Sequence, residues 1–213
     1  RRHTRYISVT GVQTCALPIL LRHYQPLRFG GVSVPWGVQF QVGRILAHAC
    51  PATAWISTVV ASQMGYAMRF PAAAQAEVFA RGHDVLMGNA SATLRADLAP
   101  AEGGYVLNGH WRFLSGADRI DWVLLPVSQM VEGKSVGWMT LVPRADMAFD
   151  DTWFVNGLQG TGSKDVIVKD AFVPHHRALP FDVFWRGPAP GHQPGDSFLS
   201  RRDMRGFMGS GVM

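Results

Sequence analysis

The sequence predicts an α+β fold, in which an N-terminal helical part is followed by an antiparallel β-barrel. Two observations predict it. Over residues 35–82 apolar side chains recur at helical spacing, whereas after His83 the chain breaks into short β-type runs separated by Gly, Asp, Asn and Pro. With 213 residues, 47% of them hydrophobic and 16% charged, the chain has the apolar mass for one large domain or two small ones.

Residues 1–19 are set apart as an artefactual segment, because residues 9–19, VTGVQTCALPI, resemble the translation of a common sequencing adapter. The net charge of +5 includes Arg1, Arg2 and Arg5 from that segment, and without them it is +2. The remaining Lys and Arg are scattered rather than clustered with aromatic side chains, which argues against a nucleic-acid partner. Cys15 belongs to the same segment, so Cys50 is the single cysteine left, and neither a disulfide framework nor a cysteine metal site is expected. No apolar run is long enough for a membrane span, and no secretory signal opens the chain, so a cytoplasmic protein without a membrane partner is expected.

The run FGGVSVP (29–35) is a turn-rich entry in which Ser33 or Val34 precedes a helix and Pro35 suits its first turn, where no backbone donor is lost. Trp36, Phe40, Gly43, Leu46 and Ala47 then recur at helical spacing to residue 49, leaving Gln39, Arg44 and His48 for more polar faces. A second helix is expected over 51–70. Trp55, Ile56, Val59, Val60, Met64, Tyr66 and Met68 cover nearly its whole circumference, so it should be buried. Pro71 opens a third helix, whose alanines favour it and whose stop is Gly82.

Strands are expected near 85–95, 104–115, 120–128, 135–142, 147–155 and 164–173, with turns at Gly103-Gly104 and Asp118-Arg119. After Pro174 the pattern is loop-like, with a helix beginning near Ser197. The expected division is a helical domain over 20–83, a β-barrel domain over 84–178, and a linker with the start of a further region over 179–213.

The most informative stretch is GGYVLNGHWRFLSGADRIDW (103–122). Strict alternation would put Tyr105, Leu107, Trp111, Phe113 and Ser115 on one face, and Val106, Asn108, His110, Arg112 and Leu114 on the other. A flat redox-active ring needs apolar walls and a few placed hydrogen bonds, and Ser115 beside the permissive Gly116 offers one. An aromatic stripe in a strand also packs an ordinary core, and spacing leaves both readings open.

Four segments carry a family resemblance: CPATAW (50–55), FPAAAQAEVFA (70–80), the stretch 103–122, and GLQGTGSKDVIVKDAFVPHHR (157–177). In order and spacing they resemble the acyl-CoA dehydrogenase superfamily of flavoproteins across roughly residues 20–180. The resemblance implies a helical domain, a flavin-binding β-barrel and a C-terminal four-helix bundle, of which the last is missing here. It also places Asn89 and Ser91 at the pyrimidine end of a flavin, Ser115 near its reactive nitrogen with Gly116 alongside, and Phe113 in the adjacent aromatic position. Trp153 matches an aromatic near flavin or substrate, and Thr161 and Ser163 match a GTGS loop, for which a plain Gly-rich turn is the alternative. Ser115 and Asn89 would contribute to catalysis by positioning the flavin and stabilising its charge. Gln63, Met64 and Tyr66 either line the substrate side or fill the core.

GNASATLRADLAP (88–100) and FLSG (113–116) depart from the wording of the dehydrogenases and resemble the two-component monooxygenase branch. That implies reduced FMN or FAD delivered by a flavin reductase, oxygen as co-substrate, an aromatic or polycyclic small molecule as substrate, and a homotetramer at full length. An acyl-CoA dehydrogenase using FAD, or an inactive fragment, are the alternatives. GLQGTGSK (157–164) is not a phosphate loop, because Ser precedes Lys and a β-type run follows. His175-His176 lack a third ligand at metal spacing and are expected to be a solvent-exposed pair. No GxSxG elbow is present for a serine hydrolase.

Overall fold

The computed structural model describes residues 20–204; the adapter-like segment lies outside them. Helix α1 (Trp36–Ala49) follows a 3-10 turn (Leu27–Phe29), with Pro35 at its N-cap. Helix α2 (Pro51–Ala67) starts on Pro51, where the missing N–H costs no intrahelical bond. Helix α3 (Ala72–Val78) ends short of the expected Gly82.

The strands are β1 (Met87–Asn89), β2 (Ala92–Ala101), β3 (Gly104–Leu114), β4 (Trp122–Val131), β5 (Lys134–Pro143), β6 (Met147–Asp150), β7 (Lys164–Pro174) and β8 (Ala178–Pro180). They form two four-stranded sheets, ordered β1-β4-β5-β8 and β2-β3-β7-β6. Pairing is antiparallel except between β1 and β4. Helices followed by an antiparallel β-region is the order the sequence predicts.

β4 is buried on both faces, and this sets the layering. Val123, Leu125 and Val127 join Leu107, Trp111, Leu114, Val166 and Val168 in a core between the sheets. Leu124 points the other way, into a second core with Met64, Phe70, Met139, Leu141 and Phe184. The C-terminal half of α2 is sunk in that second core, as expected; its N-terminal half is not, and Trp55 is 49% exposed.

The region expected to be loop-like after Pro174 contributes β8 and a short helix, α4 (Phe181–Trp185), while the helix expected near Ser197 is α5 (Phe198–Arg201), with Ser197 as its N-cap. Phe184 and Leu199 from them are fully buried. Gly65 of α2 permits this packing, since a Cβ there would lie 2.6 Å from Leu199 Cδ1. His175 and His176 are not a plain solvated pair: His176 Nε2 binds Glu77 Oε1 at 2.7 Å, and Tyr105 meets the His175 ring edge-on.

Helix α1 departs most from its predicted amphipathicity. The single buried residue it carries is Gln39, whose side chain hydrogen-bonds His23 Nδ1, the Ser57 carbonyl and Thr58 Oγ1, while Phe40 and Ile45 stand exposed. Its inner face is held by these polar contacts together with Trp36, which stacks on Tyr24 and meets Phe198 edge-on, and not by a continuous apolar stripe.

Candidate functional site

The strict alternation expected for β3 fails at its end. Trp111 pairs with Val166, but the next partner pair is Leu114 with Lys164, so the register slips between them. Phe113 adopts φ +70° at the slip, a left-handed conformation rare for a bulky residue. Trp111 and Leu114 are therefore both interior, Trp111 donating its indole N–H to the Pro126 carbonyl at 2.8 Å, while Phe113 is turned outward and 44% exposed. The expected row of rings on one face is thus divided: Leu107 and Trp111 are core, and Phe113 is not.

The end of β3 meets the turn before β7 and the first turns of α2. Gly116, at φ +74°, donates its N–H to the Thr161 carbonyl at 2.7 Å. Ser115, Ser163 and Thr161 line up as a chain of hydroxyls, with 2.9 Å from Ser115 Oγ to Ser163 Oγ and 2.8 Å from there to Thr161 Oγ1. All three are buried. The indole Nε1 of Trp55 donates to Ser115 Oγ at 2.9 Å.

Aromatic side chains adjoin these hydroxyls along the chain. Phe113 meets Trp153 edge-on with ring centroids 5.9 Å apart, and Arg112 lies 4.5 Å over the Phe113 ring. Trp153 is itself steadied by its N–H to the Leu158 carbonyl at 3.1 Å. Trp55, Phe113, Phe154 and Leu158 are exposed. Trp55, bound to Ser115, and Phe113, two residues before it, are exposed aromatic groups adjoining a buried hydroxyl.

A second group of expected site residues meets elsewhere. Gln63, Asn89 and Ser91 line a cavity of about 80 Å³ together with Tyr66, Phe184 and Trp185. Asn89 donates its amide to the Leu124 carbonyl at 3.1 Å, which holds the side chain at the mouth of β1. Burial pushes the Tyr66 phenol up to about 12 against a lowering influence of Arg69, so it stays protonated at neutral pH. Met64 is fully buried in the helix-side core and does not line this cavity. Trp55, Val59 and Gln63 follow one another at four-residue steps along α2, so one helix face runs from the hydroxyl chain to the cavity.

Sequence reasoning missed Trp55 as a site residue, placing it among the buried side chains of α2. Its helical spacing carries no mark of the hydrogen bond; the CPATAW wording was the available signal. Among the described residues no cluster of His, Cys, Asp or Glu can hold a metal ion, and no helix is long and apolar enough to cross a membrane.

No protein-family model matches the chain. Among curated proteins it is similar to the flavin-dependent monooxygenase oxygenase subunit HsaA of Rhodococcus jostii (strain RHA1), 35% identical over 80% of this chain and 44% of the relative. It is also similar to the oxygenase component of FADH(2)-dependent resorcinol hydroxylase from Rhizobium sp. (strain MTP-10005), 33% identical over 84% of this chain and 43% of the relative. Among solved structures it resembles 3-HSA hydroxylase from Rhodococcus sp. RHA1, with a TM-score of 0.80 and 31% identity over 86% of this chain and 48% of that one. The chain spans less than half the length of these relatives. In sequence and in fold, this protein is a homologue of the oxygenase subunits of flavin-dependent monooxygenases.

Proposed function

We propose that the chain carries the flavin-cradling part of the oxygenase component of a two-component monooxygenase, which hydroxylates an aromatic or polycyclic small molecule. A flavin reductase supplying reduced FMN or FAD, and a homotetramer of the full-length protein, belong to the same proposal. The observation that carries it is the buried Ser115 hydroxyl, which accepts from the Trp55 indole and lies two residues from Phe113, itself in edge-on contact with Trp153. Those residues fit a flavin: aromatic groups to flank the ring and a hydroxyl to orient its polar edge.

When bound, reduced flavin supplies the electrons that activate oxygen. The protein's part is positional. Ser115, backed by Ser163 and Thr161, orients the ring edge, and Gly116 lets the backbone turn beside it. Phe113 and Trp153 exclude water from one side, which strengthens every polar contact within. Asn89, Ser91 and Gln63 form the polar end of the neighbouring cavity and present it to the substrate or the ring's far end. These groups act by preorganised electrostatics, with no covalent step of their own.

The test is to mix the chain anaerobically with photoreduced FMN or FAD and then admit air. Stoichiometric binding and a reoxidation distinct from that of free flavin are expected. Absence of binding overturns the proposal, and bleaching of bound FAD by an acyl-CoA would replace it with a dehydrogenase reading.

A further inference from the structure

We propose that Trp55 is a positioning residue, which together with Ser163 and Thr161 fixes the Ser115 hydroxyl as a hydrogen-bond donor toward whatever lies against Phe113 and Trp153. The argument is one of proton count. An indole N–H can only donate, so the 2.9 Å contact takes up one acceptor site on Ser115 Oγ. Each hydroxyl has a single proton, so the two contacts admit three arrangements; in one, Ser163 accepts from both neighbours and its own proton, on a residue 2% exposed, is left over, which leaves two directions of a continuous relay.

In the first direction Thr161 donates to Ser163 and Ser163 to Ser115. Both protons at the interior end then have acceptors, and the Ser115 proton, at the least buried of the three residues, faces outward. In the second, Ser115 donates to Ser163 and Ser163 to Thr161. The Thr161 proton is then left over on a residue only 2% exposed, whose hydroxyl has no second partner among the described residues. A buried donor without an acceptor bears its full desolvation cost, whereas a spare lone pair costs little. The first direction is favoured.

Ser115 Oγ then accepts from both Trp55 and Ser163, and its own proton is the polarity it offers outward. The chemistry selected is a ring edge carrying an acceptor, a carbonyl oxygen or an unprotonated ring nitrogen. Trp55 reaches the site because Ala52, three residues before it, and Ile56, the residue after it, pack against the turn at Gly160 and against Gly116: Cβ atoms built at those glycines would lie 3.3 Å from Ala52 Cβ and 3.5 Å from Ile56 Cδ1. Only the identity of the ligand rests on the flavin reading; the direction of the relay does not.

The ligand-free protein decides the direction. The Trp55 indole N–H is followed by nitrogen-edited NMR and assigned by its loss in Trp55→Phe. Ser115→Ala is expected to move it far upfield, and Ser115→Thr, which keeps the hydroxyl, to restore it. Ser163→Ala removes a competing donor to Ser115 Oγ, so the Trp55 resonance should move downfield as its own hydrogen bond strengthens. An upfield shift, or none, overturns the proposal, because an acceptor at Ser163 would instead polarise Ser115 cooperatively.

FMN titration, followed by quenching of its fluorescence, supplies the second arm. Trp55→Phe and Ser115→Ala are each expected to weaken binding about fivefold, with the double variant no weaker than Ser115→Ala, because one hydrogen bond of about 1 kcal/mol is shared. Additive losses overturn the positioning role. Failure of the unaltered chain to bind FMN would overturn the flavin reading, while the indole shifts still decide the relay.

Discussion

Arg69, fully buried just beyond α2, reaches Leu199 on α5, 130 positions along the chain, and donates a hydrogen bond to its carbonyl oxygen. The same guanidinium donates to the carbonyls of Phe184 and Arg186, and to that of Arg202 at 3.2 Å. Burial pulls its pKa down to about 10, so it is charged at neutral pH. Arg69→Met keeps the stem but strands buried carbonyls. The expected loss is about 3 kcal/mol, read as a lower denaturant midpoint, with protease sensitivity appearing first in residues 184–202.

Glu77 on α3 ties the helical part to the chain after β7, accepting from His176 Nε2 at 2.7 Å and from Arg177. Burial works to raise its carboxyl, but the hydrogen bonds from His176 and Arg177 outweigh it and hold the pKa below the ordinary value. A depressed carboxylate stabilises the fold above its unfolded pKa, and the contribution is lost as pH falls from about 4.5 through the folded value. Glu77 is a third exposed, so Glu77→Gln should cost less than about 1 kcal/mol at pH 7. The difference in melting temperature between variant and parent should vanish in acid.

Phe113→Asn tests the register slip. The left-handed backbone costs an aromatic residue about 1–2 kcal/mol, which Asn largely avoids. The lost contacts with Trp153 and Arg112 are worth a similar amount. Stability should therefore change by less than about 1 kcal/mol, although a large side chain is removed. FMN affinity should fall at least tenfold, which is about 1.4 kcal/mol; equal losses in both would show Phe113 to be ordinary packing.

Asp165 is buried where β7 begins, and accepts from His110 Nε2 and Thr152 Oγ1, each at 2.8 Å. Asp165→Ala leaves both partners unpaired and releases the segment that carries Trp153. A loss of about 2–3 kcal/mol is expected, together with a change in tryptophan emission. Unaltered emission would mean that Phe113 and Leu158 hold Trp153 without help from the Thr152–Asp165 contact.

The large elements were legible because their patterns are physical necessities. The all-round apolar surface of α2 from Val60 onward demands burial, and Gly103-Gly104 demands a turn. Three failures share a cause. β2 is largely exposed and so shows no alternation, which is why the prediction stopped near residue 95. The inward face of α1 is held by Gln39 together with Trp36 at its first turn, and apolar periodicity assigns glutamine to solvent. The segment 178–185 looks like loop because α4 and β8 are too short to show a period, yet both are anchored by distant parts of the chain. Of the candidate site, Ser115, Ser163 and Thr161 were chosen from wording and are found hydrogen-bonded together. Trp55 was not, because a contact spanning 60 positions leaves no local trace.

The slip between Trp111 and Leu114 separates what supports from what is presented. Deleting Arg112 would restore an unbroken two-residue rhythm opposite β7, with the ring of Phe113 still outward and Leu114 still inward. It would also remove the call for a left-handed backbone at Phe113 and draw the Ser115 hydroxyl about 3.3 Å back along the strand, away from the Trp55 indole. With Arg112 in place, a flaw in the weave, one residue wide, is what turns an aromatic ring toward solvent between two interior side chains.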